Sequence, residues 1–565
     1  MSAGVWRAPF PRGLTARSCR AAAWALGCVP IYTIAQYVPL ANPEFPLEHV
    51  GYLKASNAEA YDHFGCGGAN TGHTGNSVAI SRDGNTMVIG APHESGGAAG
   101  IDGDESDNST FGAGAVYVFA LGEGTWAQQA YLKASTPAFG DHFGSSVALS
   151  ADGNTLAVAA QFESSGATGI DADQSDDSVP QAGAVYVFTR SGGDWAHRAY
   201  IKASNTGRAG KGDDFGDGDQ FGYSLALSPD GGTLAVGAIT EDSGAREIDG
   251  DQSDDSVTSS GAVYAFSRSG ERWSQQAYLK ASNSEQGDLF GFSVALSADG
   301  NTLAASSYDE DGGARIINGP DDNTRDAAGA IFVFSREGGV WTETAYLKGS
   351  RIERTDQLGY SVAISDDGNT IAAGAGDEDC LSPGVNPPGC ENDSMDDIGA
   401  NVWIGAAYVF VRRDGEWAEQ AFLKASNPRP YNSFGVKLAL SGDGDTLTIA
   451  AYLEDEGASG VFGPEPFPLM IVPNLDPWRS GENRAEESGA VYVYTRSGGE
   501  WAQRAYVKAP NAQTGDEFGS AVAVSGDGRL IAIAAHNEAS AASGLDGDPS
   551  DNSAPESGAV YLYAR

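Results

Sequence analysis

Short apolar runs alternate with polar turns along most of this chain, and their order repeats. Ser146-Val147-Ala148-Leu149-Ser150 ends in a D-G-N-T turn and is answered by a second run, T-L-A-V-A-A. A long polar loop follows, then G-A-V-Y-V-F, then an R-S-G-G turn, and finally a more polar run that carries Trp195 and ends A-Y-I-K-A-S. The runs have strand length, β-branched and aromatic residues fill the third, and no helical periodicity separates them. Each unit therefore predicts four strands. Asp-Gly between the first two runs marks a tight hairpin, because glycine accepts the positive φ such a turn requires.

The unit is written seven times. Its opening Phe-Gly step recurs at Phe64, Phe143, Phe221, Phe290, Leu358 (Leu for Phe), Phe434 and Phe518, spaced by 79, 78, 69, 68, 76 and 84 residues. The G-A-V-Y step begins at Gly114, Gly183, Gly261, Gly329, Gly405, Gly489 and Gly558. Serial four-stranded units that cannot bury both faces alone predict an all-β, seven-bladed β-propeller of antiparallel blades. The small residues of the first two strands suit a crowded axis, and the polar fourth strand suits the outer edge. The seventh copy stops at Arg565 without a fourth strand, while a spare one, L-E-H-V-G-Y-L-K-A-S-N, spans residues 47–57. That N-terminal strand is expected to complete the last blade and close the ring, so that no sheet edge is left open.

Phe-Gly at the head of each unit, Gly90-Ala91-Pro92 after the second strand and G-A-V-Y-V-F later in the unit resemble the FG-GAP repeats of integrin α-subunit propellers. The resemblance covers residues 45–565 and implies an extracellular, seven-bladed, non-enzymatic recognition module. It does not extend to that family's calcium motif, D-x-D-x-D-G in the first hairpin, which the shorter S-x-D-G-N-T turn here replaces.

Strand order places the loop between second and third strands on the same face as the link to the next blade. Three acidic signals fall on this long-loop face. An Asp stands two residues before the Phe at Asp62, Asp141, Asp219, Asp288, Asp356 and Asp516, with Asn432 in blade six. A Glu follows the second strand in all seven copies: Glu94, Glu163, Glu241, Glu310, Glu378, Glu454 and Glu538. Four blades carry I-D-G-D-x-S-D or a near copy, holding Asp102, Asp104 and Asp107; Asp171, Asp173 and Asp176; Asp249, Asp251 and Asp254; and Asp546, Asp548 and Asp551. Alternating hard oxygen donors on flexible loops suit Ca²⁺, although neither the sixth-position Gly nor the twelfth-position Glu of an EF-hand is present. The alternative for all three signals is structural, with short carboxylates accepting loop N–H bonds.

Catalytic patterns are missing: no G-x-S-x-G, H-E-x-x-H or phosphate-binding glycine loop occurs. His63 and His142 share a slot that other copies fill with Gln, Leu, Ser or Glu, a drift that reads against chemistry. The expected function is thus non-enzymatic binding of a protein or glycan at the cell surface, calcium-assisted, by a monomer. The alternative is a propeller hydrolase or lyase with a carboxylate pair on the acidic face.

Two blades break the pattern on that face. Blade five carries Cys380 and Cys390 around L-S-P-G-V-N-P-P-G, continuing to Trp403. Blade six replaces the acidic motif with an apolar insertion containing Phe462, Phe467, Leu469, Met470, Ile471 and Trp478. Such side chains in water mark a binding patch, unless the loop folds back over the protein.

Bulk properties narrow the partners. A net charge of -42 excludes nucleic acid, whose phosphates demand a basic footprint, and suits cations, basic partners, a salty environment or simple solubility. Residues 1–44 hold four arginines ahead of a short apolar stretch and read as an export leader rather than a membrane span. An exported chain permits a local Cys380–Cys390 disulfide and leaves Cys66 as a free thiol.

Overall fold

In the computed structural model, residues 45–66, 75–207, 218–320, 322–390, 402–463 and 485–565 are described. The expected leader lies outside them. Seven antiparallel sheets follow one another, and the described residues contain no helix. Blade three is representative: Ser224–Leu227, Thr233–Ala238, Ala262–Ser269 and Arg272–Leu279 pair in sequence order. Blade seven is composite. Its strands Phe518–Val524, Leu530–Ala535 and Ala559–Ala564 are completed by Glu48–Leu53, with Tyr52 opposite Tyr561 and Leu53 opposite Val560. The expected closure by the N-terminal strand is present.

The Phe-Gly and Gly-Ala steps meet at the blade junctions. A β-carbon on Gly114 would lie 2.2 Å from the Phe143 carbonyl oxygen, and Gly114 has a φ of +81°. The Phe143 amide donates to the Ala113 carbonyl at 3.0 Å, tying blade two to blade one. The same contact closes the ring, where a β-carbon on Gly558 would meet the Phe64 oxygen at 2.3 Å. Only glycine fits so close an approach with that backbone. Each Phe then fills the core between blades; Phe143 is fully buried and packs edge-on to Tyr186, ring centroids 5.4 Å apart.

The core is distributed between neighbours rather than held in one mass. Val185, Val187 and Ile201 of blade two, for example, pack on Leu234, Tyr264, Phe266 and Trp273 of blade three. On the short-turn face the repeated Trp has a joining role. Arg190 lies over the Trp195 ring at 5.3 Å and donates to Gln129 Oε1 and Thr86 Oγ1 of the preceding blade, at 2.8 and 3.0 Å. Arg565 repeats this at the closing junction, with Phe45 in place of Trp and Thr446 of blade six as its partner.

The D-G-N-T turns form a belt around the axis. Arg82 N–H donates to Ala151 O, Ala151 to Pro229 O, Ala298 to Asp366 O, Asp366 to Gly442 O, Gly442 to Gly526 O and Gly526 to Arg82 O. The belt breaks once, at Pro229, which has no N–H to give. The Arg82 guanidinium of blade one also pairs with the Asp366 carboxylate of blade five.

Deleting residues 45–57 strips blade seven of its outer strand and of Lys54. Differential scanning calorimetry should show a melting midpoint lowered by several degrees or a separate early transition; an unchanged endotherm would count against closure.

Candidate functional site

The long-loop face is organised by charge burial. In every blade the Glu after the second strand meets the Lys of the fourth strand: Lys133–Glu94 at 2.6 Å, Lys202–Glu163 at 2.8 Å, Lys280–Glu241 at 3.0 Å, Lys348–Glu310 at 2.8 Å, Lys508–Glu454 at 2.7 Å, Lys54–Glu538 at 2.9 Å, and Lys424–Glu378. All fourteen side chains are at most 5% exposed. The glutamate also takes the hydroxyl of the tyrosine two residues before the lysine, Tyr278 to Glu241 at 2.7 Å. An asparagine from the preceding blade joins it, Asn205 Nδ2 to Glu241 Oε1 at 3.0 Å. One carboxylate thus ties together two strands and two blades. Burial lowers the Lys280 pKa and the Glu241 charge opposes that shift. The sequence held a signal for this pairing, because Lys is as invariant across the seven copies as Glu.

The Asp before each Phe is buried and caps the loop that delivers the chain to the next blade. Asp288 Oδ2 accepts the Glu285 N–H at 2.8 Å, and Asp62, Asp141, Asp356 and Asp516 accept the N–H three residues back in the same way. Burial raises their pKa values, to about 7 for Asp62, Asp141, Asp288 and Asp516 and to about 8 for Asp219. Asn432 occupies the slot in blade six with no charge at all.

The D-G-D-x-S-D carboxylates are turned onto their own loops. Asp102, Asp171, Asp249 and Asp546 have positive φ and accept the amides of Tyr131, Tyr200, Tyr278 and Tyr52 at 2.9–3.1 Å, pinning the loop to the outer strand. Asn318 and Asn386 do the same in blades four and five, so this position requires an acceptor rather than a charge. Asp104, Asp173, Asp251 and Asp548 each accept the N–H and hydroxyl of the serine two residues on. Asp107, Asp176 and Asp551 accept the N–H of Ser109, Ser178 and Ser553, and Asp254 closes its turn through a backbone bond to Gly244.

Blades five and six extend the same loop into a fifth strand. Gly384–Val385 pairs with Lys424 and Leu423, and Cys380 and Cys390 are joined by a disulfide with Cα atoms 5.5 Å apart. Gly460–Phe462 pairs with Lys508, Val507 and Tyr506. Phe462 is therefore not part of an exposed patch: it is buried against the Tyr506 ring at 5.8 Å, where the other blades place Asp or Asn. Phe467, Leu469, Met470, Ile471 and Trp478 lie outside the described residues. Trp403 is exposed, edge-on to exposed Tyr431 of the next link at 5.9 Å. Phe111 and Phe139 form a second exposed pair at the junction of blades one and two, 5.8 Å apart, and Tyr61 stands exposed at the junction of blades seven and one. Sequence reasoning missed these last three aromatics, which sit in links that look merely variable.

The axis itself is asymmetric at this end. Blades three to six line it with Tyr223, Ile239, Leu289, Phe292, Tyr360, Val436 and Tyr452. Blades seven, one and two instead bring in His63, Cys66, His93, His142 and His536. The His63 and His93 rings are 4.6 Å apart, His93 and His142 4.6 Å, and His63 and His536 5.6 Å. Burial pulls their pKa values down, to about 3 for His63 and His142 and about 4 for His536, so the rings are neutral. Lys437 of blade six joins them in a position that is Ser77, Ser146, Ser224, Ser293 and Ser361 in the first five blades, its own pKa pulled down to about 8 by burial. Below it the channel, about 320 Å³, is lined by the first strands of all seven blades. The drift of the His63 slot, which argued against chemistry, is what lets three neighbouring blades build this cluster.

A family model described as FG-GAP repeat matches residues 126–188, 273–334 and 501–563. The chain carries FG-GAP repeats. Each matched stretch runs from the Trp of one outer strand to the third strand of the next blade, and so spans a junction. No curated protein matches the chain. Among solved structures it is similar to Kuenenia stuttgartiensis hydrazine synthase, with 14% identity over 82% of this chain and 94% of that one at a TM-score of 0.41. The periplasmic gluconolactonase of Pseudomonas aeruginosa shares 14% identity over 83% and 98%, TM-score 0.42. A putative 6-phosphogluconolactonase from Bacteroides uniformis shares 12% over 80% and 90%, TM-score 0.39. Likenesses this distant say nothing of chemistry.

Two measurements check the electrostatics of the FG-GAP scaffold. Lys280→Met leaves Glu241 buried without its counter-charge and should cost about 3–5 kcal/mol in urea unfolding, with part regained in Lys280→Met/Glu241→Gln. For Asp288 the folded pKa, about 7, exceeds the ordinary 3.8, so the native state binds the extra proton and stability falls as pH rises between those values. Asp288→Asn, which copies the Asn432 of blade six, should therefore gain on the parent between pH 5 and pH 8, by up to about 4 kcal/mol. A pH-independent difference in melting midpoint would refute the assignment.

Proposed function

We propose that this FG-GAP propeller is an exported, non-enzymatic recognition module that binds a protein or glycan at the cell surface through its long-loop face. The observation that carries this reading is the exposure of aromatic rings at three junctions on that face: Tyr61, Phe111 with Phe139, and Trp403 with Tyr431. Such rings offer large contact area at low entropic cost to sugar faces or apolar side chains. The even distribution of the repeat glutamates, each neutralised by its own lysine, supports a scaffold role for the acids rather than a hydrolytic pair. The Cys380–Cys390 disulfide supports export to an oxidising compartment. Among the described residues no helix is long and apolar enough to cross a membrane. A net charge of -42 favours neutral or basic partners. The four Asp-rich loops, with exposed carboxylates beside these links, are where calcium would assist.

Glycan-array and cell-surface binding screens with and without calcium test the proposal. Against the ligand captured, Trp403→Ala/Tyr431→Ala or Phe111→Ala/Phe139→Ala should weaken affinity at least about tenfold, about 1.4 kcal/mol, at an unchanged melting midpoint. Full affinity in both double variants would overturn it.

A further inference from the structure

Two of the axial histidines each lie beside a carboxylate. His63 Nε2 lies 3.3 Å from Glu556 Oε2, and His536 Nε2 lies 3.6 Å from Glu517 Oε2. The other nitrogen of each ring, Nδ1, is buried with no hydrogen-bond partner among the described residues, as is Nε2 of neighbouring His93. An unmet buried acceptor costs about 1–3 kcal/mol, so three at one spot mark a place that something else satisfies. Close to His63 and His536 lies the sulfur of Cys66, buried and outside any disulfide. One donor atom from each of His63, Cys66 and His536 lies within 4.8 Å of the other two.

The geometry points to a transition-metal site at the axis, with His63, Cys66 and His536 as ligands to a zinc or copper ion. Two imidazoles and a thiolate are the donor set of borderline and soft ions, which hard calcium does not share. The carboxylates of Glu556 and Glu517, beside the Nε2 atoms of His63 and His536, act as positioning groups for the two imidazoles.

The same three ring positions explain why one site exists rather than seven. The residue after Phe-Gly is Cys66 in blade one but Ser145, Tyr223, Phe292, Tyr360, Val436 and Ser520 elsewhere. The residue that is His536 in blade seven is Pro92, Gln161, Ile239, Tyr308, Gly376 and Tyr452 in the others. The donors coincide only at the junction of blades seven and one, where the ring closes. A bound ion there would link the closing blades, and this site stands independently of partner binding at the rim.

The full chain, without an affinity tag, is stripped by chelation, reloaded with Zn²⁺, Cu⁺ or Ca²⁺ in separate arms, and passed through gel filtration before elemental analysis. One equivalent of zinc or copper should be retained and no calcium displaced into its place. Loading with Co²⁺ should produce a thiolate-to-metal charge-transfer band that is lost in Cys66→Ser. His63→Gln and His536→Gln should weaken zinc at least about tenfold, Glu517→Gln should weaken it to a smaller degree, and His197→Gln, on an outer strand, should leave it unchanged. Near-UV circular dichroism reports whether each variant folds; should Cys66→Ser fail to, the two histidine variants decide. Retention well below one equivalent, no charge-transfer band, or undiminished affinity in both histidine variants would overturn the site.

Discussion

At each junction between blades two backbones approach more closely than a β-carbon permits, and the ring exists because all seven junctions do this alike. Gly114 against Phe143 and Gly558 against Phe64 have the same geometry, although the second joins residues almost a chain length apart. Once that approach is set, the first two strands of each blade must be small, the Phe must fill the wedge between blades, and the loops diverge to the two faces. Outside the Asp-Gly turns, the residues of the repeat that vary least are those that serve this contact or brace it.

The principal brace is electrostatic. A buried lysine and glutamate each lose much hydration, and the pair is tolerable only because tyrosine, asparagine and serine satisfy what the ion pair leaves over, as Tyr278, Asn205 and Ser260 do around Lys280–Glu241. Because the asparagine comes from the preceding blade in five of the seven pairs, those pairs also report whether the neighbour is in place. Acidity on this face is therefore of two kinds. The repeat glutamates are neutralised within the scaffold, whereas the loop aspartates, turned onto backbone amides, are mostly solvent-exposed.

Sevenfold repetition leaves some positions unconstrained, and those positions are where the molecule becomes individual. The loop that makes a single bridge to the outer strand at Ile101 becomes a fifth strand in blades five and six. The links between blades carry exposed aromatics at three junctions. The axial slots divide into an aromatic half and a histidine half. A scaffold so heavily over-determined in its inner strands tolerates differences at its rim and axis without loss of the fold.

The sequence by itself determined the blade count, the strand order, the closing strand at residues 47–57 and the face on which the long loops lie, because these depend on local periodicity, Asp-Gly turns and a repeat that aligns with itself. It also located the disulfide loop, since Cys380 and Cys390 are close along the chain. It left the partner of the repeat Glu undefined even though Lys was present in every copy, because a long loop and the third strand separate the two and only strand pairing brings them together. It placed Phe462 in a surface patch, because hydrophobicity alone does not say whether a loop turns outward or lies along its own blade. The histidine cluster was decided entirely by tertiary structure. His63, Cys66 and His536 come from opposite ends of the chain and from slots that vary freely, and nothing but the closure of the ring brings them within reach of one another.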